Sequence, residues 1–342
     1  MIQPADTVLS YVIVGSGYRS QYFARVAKTY PDRFRAIFLC RTQSKADLIA
    51  TQTGIPATVS AEDCLRFGPD FAVIAVDRGH VADVAEEWVL RGYPVVTETP
   101  VGATREQLER IRVLCANGAR IVCCEQYPRQ PILAAGLRQL ALGTIGEPTS
   151  VYISLLHDYH AAGLIRQALR IPPEEPYTIR ALTQPEPVAE TDSRGGAILD
   201  GRRTQAERCT ALISFASGKQ AVYDFSPIQY RSYIRSRHLT VRGDRGEWSD
   251  SQILYLDRDN WPQRIALTAE IPEKYRCLDT QALRDRRRNW SAELAPDTVQ
   301  DEFAIASLLL DMGDYLRGGP SPYPLDEAIA DAEFWLRLSG ME

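Results

Sequence analysis

Apolar runs of strand length alternate with segments of helical periodicity through the first 125 residues of the chain. The pattern predicts strands at 9–14, 35–40, 70–76, 93–97 and 120–124, and helices at 20–30, 81–91 and 104–117. Strands and helices that alternate at this spacing are typical of a parallel sheet with helices on both of its faces. The first half of the chain is therefore predicted to be an α/β domain, and its ligand is expected at the carboxyl ends of the strands.

The second half of the chain is richer in strands. Its apolar segments predict strands at 149–156, 209–215 and 220–225. A stretch at 172–200, rich in Pro, Glu and Thr, is interpreted as an irregular loop of the kind that covers a substrate. Two amphipathic helices, at 298–317 and 325–338, close the chain and are expected to pack back against the first domain.

Length and composition narrow the classes of protein that this pattern allows. The 342 residues suffice for two domains, which we place at 1–127 and 128–342. Lys and Arg number 39 against 44 for Asp and Glu, so the chain lacks the basic excess of a nucleic-acid-binding protein. Its longest apolar runs are far shorter than the about 20 residues that cross a bilayer, so no membrane partner is expected. A polar amino terminus and seven cysteines without CxxC spacing indicate a cytoplasmic protein with reduced thiols.

A glycine-rich turn connects the first predicted strand to the first predicted helix. It reads Gly15-Ser16-Gly17-Tyr18-Arg19-Ser20, in the strand–turn–helix context that a dinucleotide-binding fingerprint requires. Gly15 permits the tight turn, and Gly17 lets the main chain approach a pyrophosphate at the positive end of the helix. Ser20 replaces the third glycine with a side chain still small enough for close packing. A plain turn without a ligand is the alternative interpretation.

The end of the second predicted strand bears on the choice of cofactor. A dinucleotide site usually has Asp or Glu there to bind the ribose hydroxyls, but this chain has Cys40, Arg41 and Thr42, with Lys45 just beyond. The two cationic side chains, Arg41 and Lys45, can neutralise a 2′-phosphate, which favours NADP over NAD. The alternative is that both are solvated charges at the start of a helix.

Taken together, these motifs resemble the Gfo/Idh/MocA family, the group of glucose–fructose oxidoreductase and inositol dehydrogenase. The resemblance rests on Gly15-Ser16-Gly17, the strand, turn and histidine at 75–80, Glu98-Thr99-Pro100 at the family's Glu-Lys-Pro position, and the segments 125–129 and 241–247. It implies an N-terminal Rossmann domain followed by an α/β domain with an open, mostly antiparallel sheet. It also implies hydride transfer between a nicotinamide cofactor and a sugar, cyclitol or related compound. Through its open sheet face the protein is expected to form a homodimer or homotetramer.

The motifs and this resemblance together give the candidate site residues. The expected cofactor-binding residues are Gly15, Ser16, Gly17, Tyr18, Arg19, Arg41, Lys45, His80, Glu98, Pro100 and Gln126. The expected substrate-binding residues are Thr99, Arg129 and Arg194, and for Arg194, in the stretch at 172–200, a mobile solvated loop is an equal alternative. Pro100 is also a candidate for a cis peptide bond, as tight turns beside ligands sometimes contain.

Thr99 is the main departure from the family pattern, because it stands where the family has a lysine that assists proton movement. A threonine has no cationic donor and does not titrate near neutrality, so it cannot take that role. Either another residue supplies the proton chemistry, or the usual dehydrogenation is not performed.

The predicted strand–helix junction at 157–160 carries the other candidate chemistry. It reads His157-Asp158-Tyr159-His160, and His160 best matches the family's catalytic histidine at the start of a helix. A histidine with a pKa near neutrality can exchange a proton with a hydroxyl while hydride moves at the same carbon. Asp158 or His157 can fix its tautomer, His157 can share or replace its role, and Tyr159 is a weaker acid candidate. A metal site or a helix-capping cluster is a less favoured alternative, and no metal is expected.

A third polar segment, at 229–238, is rich in arginine. If it is extended, alternate residues share one face, which can bind an acidic sugar; a solvated sheet edge or a subunit contact is the preferred interpretation. The members of that face are Gln229, Arg231, Tyr233, Arg235 and Arg237.

Three functions follow from these motifs. The leading hypothesis is an NAD(P)-dependent oxidoreductase that acts on a CH–OH group. A second is a redox-neutral elimination or hydrolysis in which the cofactor is reduced and reoxidised within each turnover, and Thr99 motivates it. A third is a binding or regulatory protein that kept the fold and lost the chemistry, but the titratable cluster at 157–160 counts against it.

Overall fold

The computed structural model describes residues 8–193, 195–269, 271–288 and 298–341 of the chain, without the side chains of 285–288 and 298. The chain divides into two compact units. The first lies within the ranges Met1–Arg129, Pro272–Leu283 and Thr298–Glu333. The second lies within Gln130–Ile271, Arg284–Asp297 and Phe334–Glu342.

The first unit is built on a sheet of six parallel strands. In chain order they are β1 (Leu9–Val14), β2 (Phe34–Leu39), β3 (Ala57–Thr58), β4 (Phe71–Ile74), β5 (Val95–Thr97) and β6 (Ile121–Cys123). Their spatial order is β3-β2-β1-β4-β5-β6, so the strand order reverses between β1 and β4. Ligands of open α/β sheets bind at this reversal, beyond the carboxyl ends of the strands.

Helices connect these strands. They are α1 (Ser20–Thr29), α2 (Gln43–Thr53), α3 (Ala61–Arg66), α4 (Val81–Leu90) and α5 (Arg105–Ala116). All six residues of β1 and all four of β4 are buried, as expected for strands covered on both faces. The threonine hydroxyls of Thr42 and Thr104 accept main-chain N–H groups and so cap α2 and α5. The five predicted strands and three predicted helices of this half are confirmed, whereas β3, α2 and α3 were not predicted.

The second unit is built on a mixed sheet of eight strands. They are β7 (Pro148–Ser154), β8 (Tyr177–Ala189), β11 (Arg203–Phe215), β12 (Gln220–Phe225), β13 (His238–Gly243), β14 (Gly246–Ser249), β15 (Gln252–Leu256) and β16 (Pro262–Ala266). The spatial order is β16-β15-β14-β13-β7-β12-β11-β8, and every neighbouring pair is antiparallel except β12 with β7. Between β8 and β11 a separate hairpin joins β9 (Asp192–Ser193) and β10 (Gly196–Ala197). The predicted fold class, a Rossmann-type parallel sheet followed by an open, mostly antiparallel one, is confirmed.

Two helices, α6 (Pro131–Ala141) and α7 (Asp158–Leu169), supply buried apolar residues to the core of the second unit. At the end of β11 alternate residues are buried, namely Ala211, Ile213 and Phe215, whereas Leu212 between them is exposed. The sheet therefore has one face in the core and one face open to solvent. Gly136 of α6 fits this packing because a Cβ at its position would lie 2.1 Å from the indole ring of Trp248.

The closing part of the chain contains α8 (Gln281–Arg288), α9 (Thr298–Leu316) and α10 (Leu325–Leu338), so both predicted closing helices are confirmed. Within the first unit, Arg25 of α1 pairs with Glu302 of α9 at 2.6 Å. None of the helices in the described ranges has both the length and the apolar character needed to cross a membrane.

Two expectations for the second half were wrong. The stretch at 172–200 is not irregular, because 177–189 form the long strand β8, which pairs along its whole length with β11. Pro185 and Pro187 are compatible with this strand because β8 lies at an edge of the sheet, where one side of its main chain needs no partner. The segment 229–238 is not one extended strand either, because Pro227–Arg231 forms a 3₁₀ turn and buries Gln229.

Candidate functional site

The glycine turn has the geometry that a dinucleotide requires. Gly15 has a φ of +113°, and a Cβ there would lie 2.4 Å from the carbonyl oxygen of Ala75, so no other residue fits. At Gly17 a Cβ would meet no atom within 4 Å, so the main chain faces open space. Ser20 is fully buried, and its hydroxyl donates to the carbonyl oxygen of Gly17 at 2.7 Å, which shows how a serine replaces the third glycine.

The start of α1 adds to this cradle. The N-cap residue of α1, Arg19, makes no side-chain capping bond, so the first main-chain N–H groups of the helix can donate hydrogen bonds to an anionic ligand. The carboxyl end of β2 lies beside the turn, because the thiol of Cys40 is hydrogen-bonded to Ser16. Arg41 and Lys45 follow and are both exposed, and neither forms an ion pair within the described ranges. These residues fit a nicotinamide dinucleotide: Gly17 and the start of α1 would hold its pyrophosphate, and Arg41 would contact its adenosine end.

Arg19 connects the turn to Glu98, the residue after β5. Its Nε and Nη2 atoms each lie 3.1 Å from one carboxylate oxygen of Glu98, and Nη1 lies 3.7 Å from Asp301 of α9. Burial opposes the charged form, but the Glu98 and Asp301 carboxylates raise the pKa of Arg19 above its usual value. Gln126 joins the cluster: its amide nitrogen donates to the Cys124 carbonyl at 2.9 Å, and its oxygen accepts from Arg19 at 3.2 Å. Three predicted cofactor-binding residues, Arg19, Glu98 and Gln126, are therefore brought together.

The remaining predicted residues of this edge follow the carboxyl ends of their strands. Thr99 is half-buried, and the Thr99–Pro100 bond is cis, as expected. His80 is exposed after β4, and its Nδ1 lies 3.8 Å from Asp83. The Tyr18 hydroxyl lies 3.1 Å from that of Tyr22.

Glu125, two residues beyond β6, is a buried acid at the same sheet edge. Its side chain accepts from the main-chain N–H of Tyr127 at 3.1 Å, and the residue is 3% exposed. Burial, together with the nearby Glu98 carboxylate, raises the pKa of Glu125 to about 8. Near neutral pH this group therefore holds a proton.

Arg129, one of the predicted substrate-binding residues, does not add to this site. Arg129 donates to Asp311 at 2.8 Å and to the Pro322 carbonyl at 2.9 Å, with Tyr275 and Ser307 near the same guanidinium. These contacts give Arg129 a structural role within the first unit, which does not favour substrate contact. Arg194 lies outside the described residues.

The titratable cluster of the second unit lies at the junction of β7 and α7. His157 is the N-cap of α7, and its Nδ1 lies 2.6 Å from the hydroxyl oxygen of Tyr230. Its Nε2 lies 3.4 Å from the hydroxyl oxygen of Tyr159. The ring of Tyr159 packs edge-on against His160 and Trp335, with centroid distances of 4.6 and 5.7 Å. The structure therefore brings His157, Tyr159 and His160 together.

His160 and Asp158 differ in their surroundings. His160 is 5% exposed, whereas His157, Asp158 and Tyr159 are partly exposed. Asp158 has a φ of +45°, an uncommon conformation for a residue other than glycine, and its main-chain N–H donates to Tyr223 at 3.3 Å. Burial, and then the Asp158 carboxylate, raise the pKa of Tyr223. The Asp158 carboxylate thus lies near Tyr223.

Sequence reasoning missed several members of these clusters, namely Glu125, Tyr223, Tyr230, Asp301 and Trp335. Glu125 lies in the segment 125–129 that carries the family resemblance, but no role was predicted for it. The other four carry no motif, and Tyr230 and Asp301 come from segments far along the chain. Among the described residues, no three His, Cys, Asp or Glu side chains are arranged to hold a metal ion.

Comparison with protein families gives one match. Residues 9–125 match the sequence model of the family GFO_IDH_MocA, described as an oxidoreductase family with an NAD-binding Rossmann fold. None of the curated proteins matches the chain by sequence.

Solved structures are similar over nearly the whole chain. A levoglucosan dehydrogenase in complex with NADH and levoglucosan has a TM-score of 0.70 at 13% identity, covering 98% of each chain. An NAD-binding oxidoreductase from Klebsiella pneumoniae has a TM-score of 0.68 at 16% identity, covering 97% of this chain and 96% of that chain. A biliverdin reductase from Synechocystis sp. PCC 6803, in complex with biliverdin and NADP⁺, has a TM-score of 0.66 at 15% identity, covering 98% of this chain and 99% of that chain. At these identities the similarity establishes the fold.

Proposed function

We propose that this chain, whose residues 9–125 match the sequence model of the Gfo/Idh/MocA oxidoreductase family, oxidises or reduces a sugar, cyclitol or related compound at a CH–OH or carbonyl carbon with a nicotinamide cofactor. NADP is the cofactor that we favour, with NAD as the alternative. We place the reaction in the cytoplasm, where reducing conditions keep thiols such as the seven free cysteines of this chain reduced.

One observation carries this proposal, namely the fit of the glycine turn to a dinucleotide. Gly15 holds the sharp turn, Gly17 opens the main chain to a pyrophosphate, and the start of α1 offers N–H donors to it. The bound nicotinamide supplies a carbon that accepts or donates hydride. Arg41 and Lys45 favour NADP because they present two exposed cations at the end of β2, where a ribose-binding carboxylate is absent.

The proton that accompanies the hydride is assigned to the cluster at His157–His160. A hydroxyl must lose a proton as its carbon loses hydride, and a group with a pKa near the working pH does this best. Histidine meets that condition, whereas Thr99, at the position of the family lysine, does not. Of the predicted substrate-side residues, Thr99 and Arg194 stay proposals.

The substrate class has weaker support than the reaction. The levoglucosan dehydrogenase among the similar structures binds a sugar derivative, which supports a polyhydroxylated ring. The biliverdin reductase has the same fold and a very different ligand, so the fold does not select the substrate.

A turnover assay on a panel of sugars, cyclitols and their oxidised forms tests the proposal. We expect reduced nicotinamide to appear or disappear in a one-to-one ratio with product, and faster with NADP(H) than with NAD(H). An enzyme that binds neither cofactor and converts no member of the panel would contradict the proposal.

Thr99 favours a second candidate, a redox-neutral reaction. A CH–OH group that is oxidised transiently makes the neighbouring C–H acidic, so a substituent can be eliminated before hydride returns. This candidate predicts product at full yield with a catalytic amount of cofactor and no net change in its redox state. Stoichiometric consumption of cofactor would exclude it.

We also propose that a second copy of the chain covers the open face of the eight-stranded sheet. Leu182 and Leu212 are 58% and 57% exposed there, on neighbouring strands. The charges of this face are balanced within one chain, because Arg208 and Arg235 both pair with Glu186 and Arg208 also pairs with Asp224. A balanced face with apolar side chains suits a symmetric contact, in which each patch meets its own copy.

A further inference from the structure

His157 lies between two tyrosine hydroxyls at the start of α7. Its main-chain N–H donates to the hydroxyl oxygen of Tyr230 at 3.0 Å, and its Nδ1 lies 2.6 Å from the same oxygen. On the other side of the ring, Nε2 lies 3.4 Å from the hydroxyl oxygen of Tyr159. The two ring nitrogens therefore each face a tyrosine hydroxyl, and a proton can pass between Nε2 and the hydroxyl of Tyr159.

The hydroxyl of Tyr230 is held in place by the turn at Pro227–Arg231. The turn begins at Ser226, whose main-chain N–H donates to the side-chain oxygen of Gln229 at 2.8 Å. Gln229 is buried, and its amide donates to the carbonyl oxygens of Ser154 and Ser236. The Tyr230 ring also packs edge-on against Phe225, with a centroid distance of 5.1 Å. Tyr230 is thus fixed to the end of β7.

This position can set the tautomer of His157. A phenol oxygen has two lone pairs, which can accept the main-chain N–H and the Nδ1–H of the same histidine. A proton held on Nδ1 leaves Nε2 as the basic nitrogen, facing Tyr159. An aspartate holds Nδ1–H in the same way in the Ser-His-Asp triad, and there too Nε2 is the base.

We propose that Tyr159 exchanges the proton with the substrate hydroxyl, that His157 takes the proton from Tyr159 at Nε2, and that Tyr230 is a positioning residue that keeps Nδ1 protonated. This inference rests on the proposed oxidoreductase function. It gives to Tyr159 and His157 the role that the family resemblance assigns to His160.

The proton and electron balance of the oxidation is simple. The substrate O–H proton passes to the Tyr159 oxygen, and the Tyr159 proton passes to Nε2 of His157, which becomes an imidazolium. The substrate C–H bond breaks, its electron pair leaves as hydride to the oxidised nicotinamide cofactor, and a C=O double bond forms. In the reduction every step runs in reverse.

The groups around the relay are compatible with it. The ring of His160 packs edge-on against His157 and Tyr159, with centroid distances of 5.0 and 4.6 Å. The carboxylate of Asp158, the residue between His157 and Tyr159, lies near Tyr223. The Arg237 guanidinium lies 5.4 Å from the centroid of the Tyr230 ring and favours negative charge on that phenol oxygen.

Nitrogen NMR of the histidine side chains tests the arrangement without cofactor or substrate. The chain has four histidines, so a His157→Asn variant suffices to assign the His157 signal. We expect the neutral His157 ring to carry its proton on Nδ1, and Tyr230→Phe to move it to Nε2. Tyr233→Phe is the matched control, because Tyr233 is 70% exposed two residues beyond the same turn, and it should leave the signal unchanged.

Kinetics on a substrate found in the panel test the roles. Tyr159→Phe should lower kcat by about 10²-fold or more, the contribution of general acid–base catalysis. Tyr230→Phe should lower kcat about 10-fold with KM unchanged, as loss of a supporting hydrogen bond does. In Tyr159→Phe the rate of oxidation should keep rising with pH, because hydroxide must then remove the proton.

A wild-type His157 protonated on Nε2, or a Tyr159→Phe variant with undiminished kcat, would overturn the inference. The nitrogen spectrum of the wild type shows which ring nitrogen of His157 carries the proton, so it tests the inference even if a variant fails to fold. Cofactor binding, measured by calorimetry, reports separately on the proposed function, so the two failures are distinguishable.

Discussion

Glu125 is a carboxyl group that the folded chain keeps protonated near neutral pH. It lies at the carboxyl end of β6, where the fold brings Glu98 and the Arg19 guanidinium near it. Other titratable groups near it are Cys123 and Cys124 of the same segment and Tyr323. The unfolded chain releases the Glu125 proton above about pH 4.5, whereas the folded chain keeps it up to about pH 8.

The contribution of Glu125 to stability therefore falls as the pH rises from about 4.5 to about 8, because in this range the group is protonated in the folded state and ionised in the unfolded state. Glu125→Gln removes this loss and keeps an oxygen that can accept from Tyr127. We expect the Tm of the variant minus the Tm of the wild type to increase as the pH rises from about 5 to about 8. Thermal unfolding at both ends of this range measures it.

Glu207→Gln is the control for this prediction, because it removes an exposed carboxylate. Its Tm should follow that of the wild type at each pH. Parallel curves for Glu125→Gln and the wild type would show that Glu125 is already ionised in the folded chain.

Among the elements of the fold, α6 depends on one close approach. A Cβ at Gly136 would overlap the indole of Trp248 in β14, so Gly136→Ala must displace a buried ring. We expect a loss of about 1–3 kcal/mol in the free energy of unfolding, the usual cost of overpacking a core. Denaturant unfolding measures it.

A double-mutant cycle with Trp248→Leu provides the control. In that background the space for a Cβ exists, so Gly136→Ala should cost much less than in the wild type. An equal cost in both backgrounds would mean that the helix, and not the indole, requires the glycine.

The sequence allowed these elements to be predicted where periodicity and local turns determine them. Strands β1, β4 and β5 are short apolar runs buried on both faces, and α9 and α10 have long apolar stripes. Strand β8 was predicted to be a loop because it contains two prolines, and proline is rare in strands. Its partner β11 determines its structure, and a pairing between segments that far apart leaves no local signal.

For the whole molecule, the open sheet face leads to a prediction about assembly. A charged side chain at Leu212, opposite Val222 and Arg180 in the sheet, would disrupt an apolar contact between two copies. Leu212→Arg should convert a dimer or tetramer to a smaller species, measured by light scattering after size-exclusion chromatography. Leu142→Arg, at an exposed position just after α6, should leave the mass unchanged. A wild-type monomer would refute the assembly.

The candidate site, like the fold, could be predicted where its signals are local in the sequence and not where they depend on distant contacts. The glycine turn is local, so Gly15 and Gly17 carry their own signal, and the cluster at 157–160 is contiguous in sequence. Tyr230 reaches His157 across 73 residues, and Arg129, expected at the substrate, instead pairs with Asp311 across 182 residues. Such contacts arise only when distant segments pack, so residue type and spacing do not reveal them.

The proposed function begins with a nicotinamide dinucleotide on the glycine turn of the first unit. Calorimetric titration of the purified protein with NADP⁺ and with NAD⁺ measures this step, with Arg41→Ala as the variant that separates the two. We expect saturable binding of NADP⁺ to the wild type, and weaker binding of NADP⁺ but not of NAD⁺ to Arg41→Ala, because only NADP⁺ carries a 2′-phosphate. Absence of binding of either dinucleotide to the wild type would contradict the proposed function at its first step.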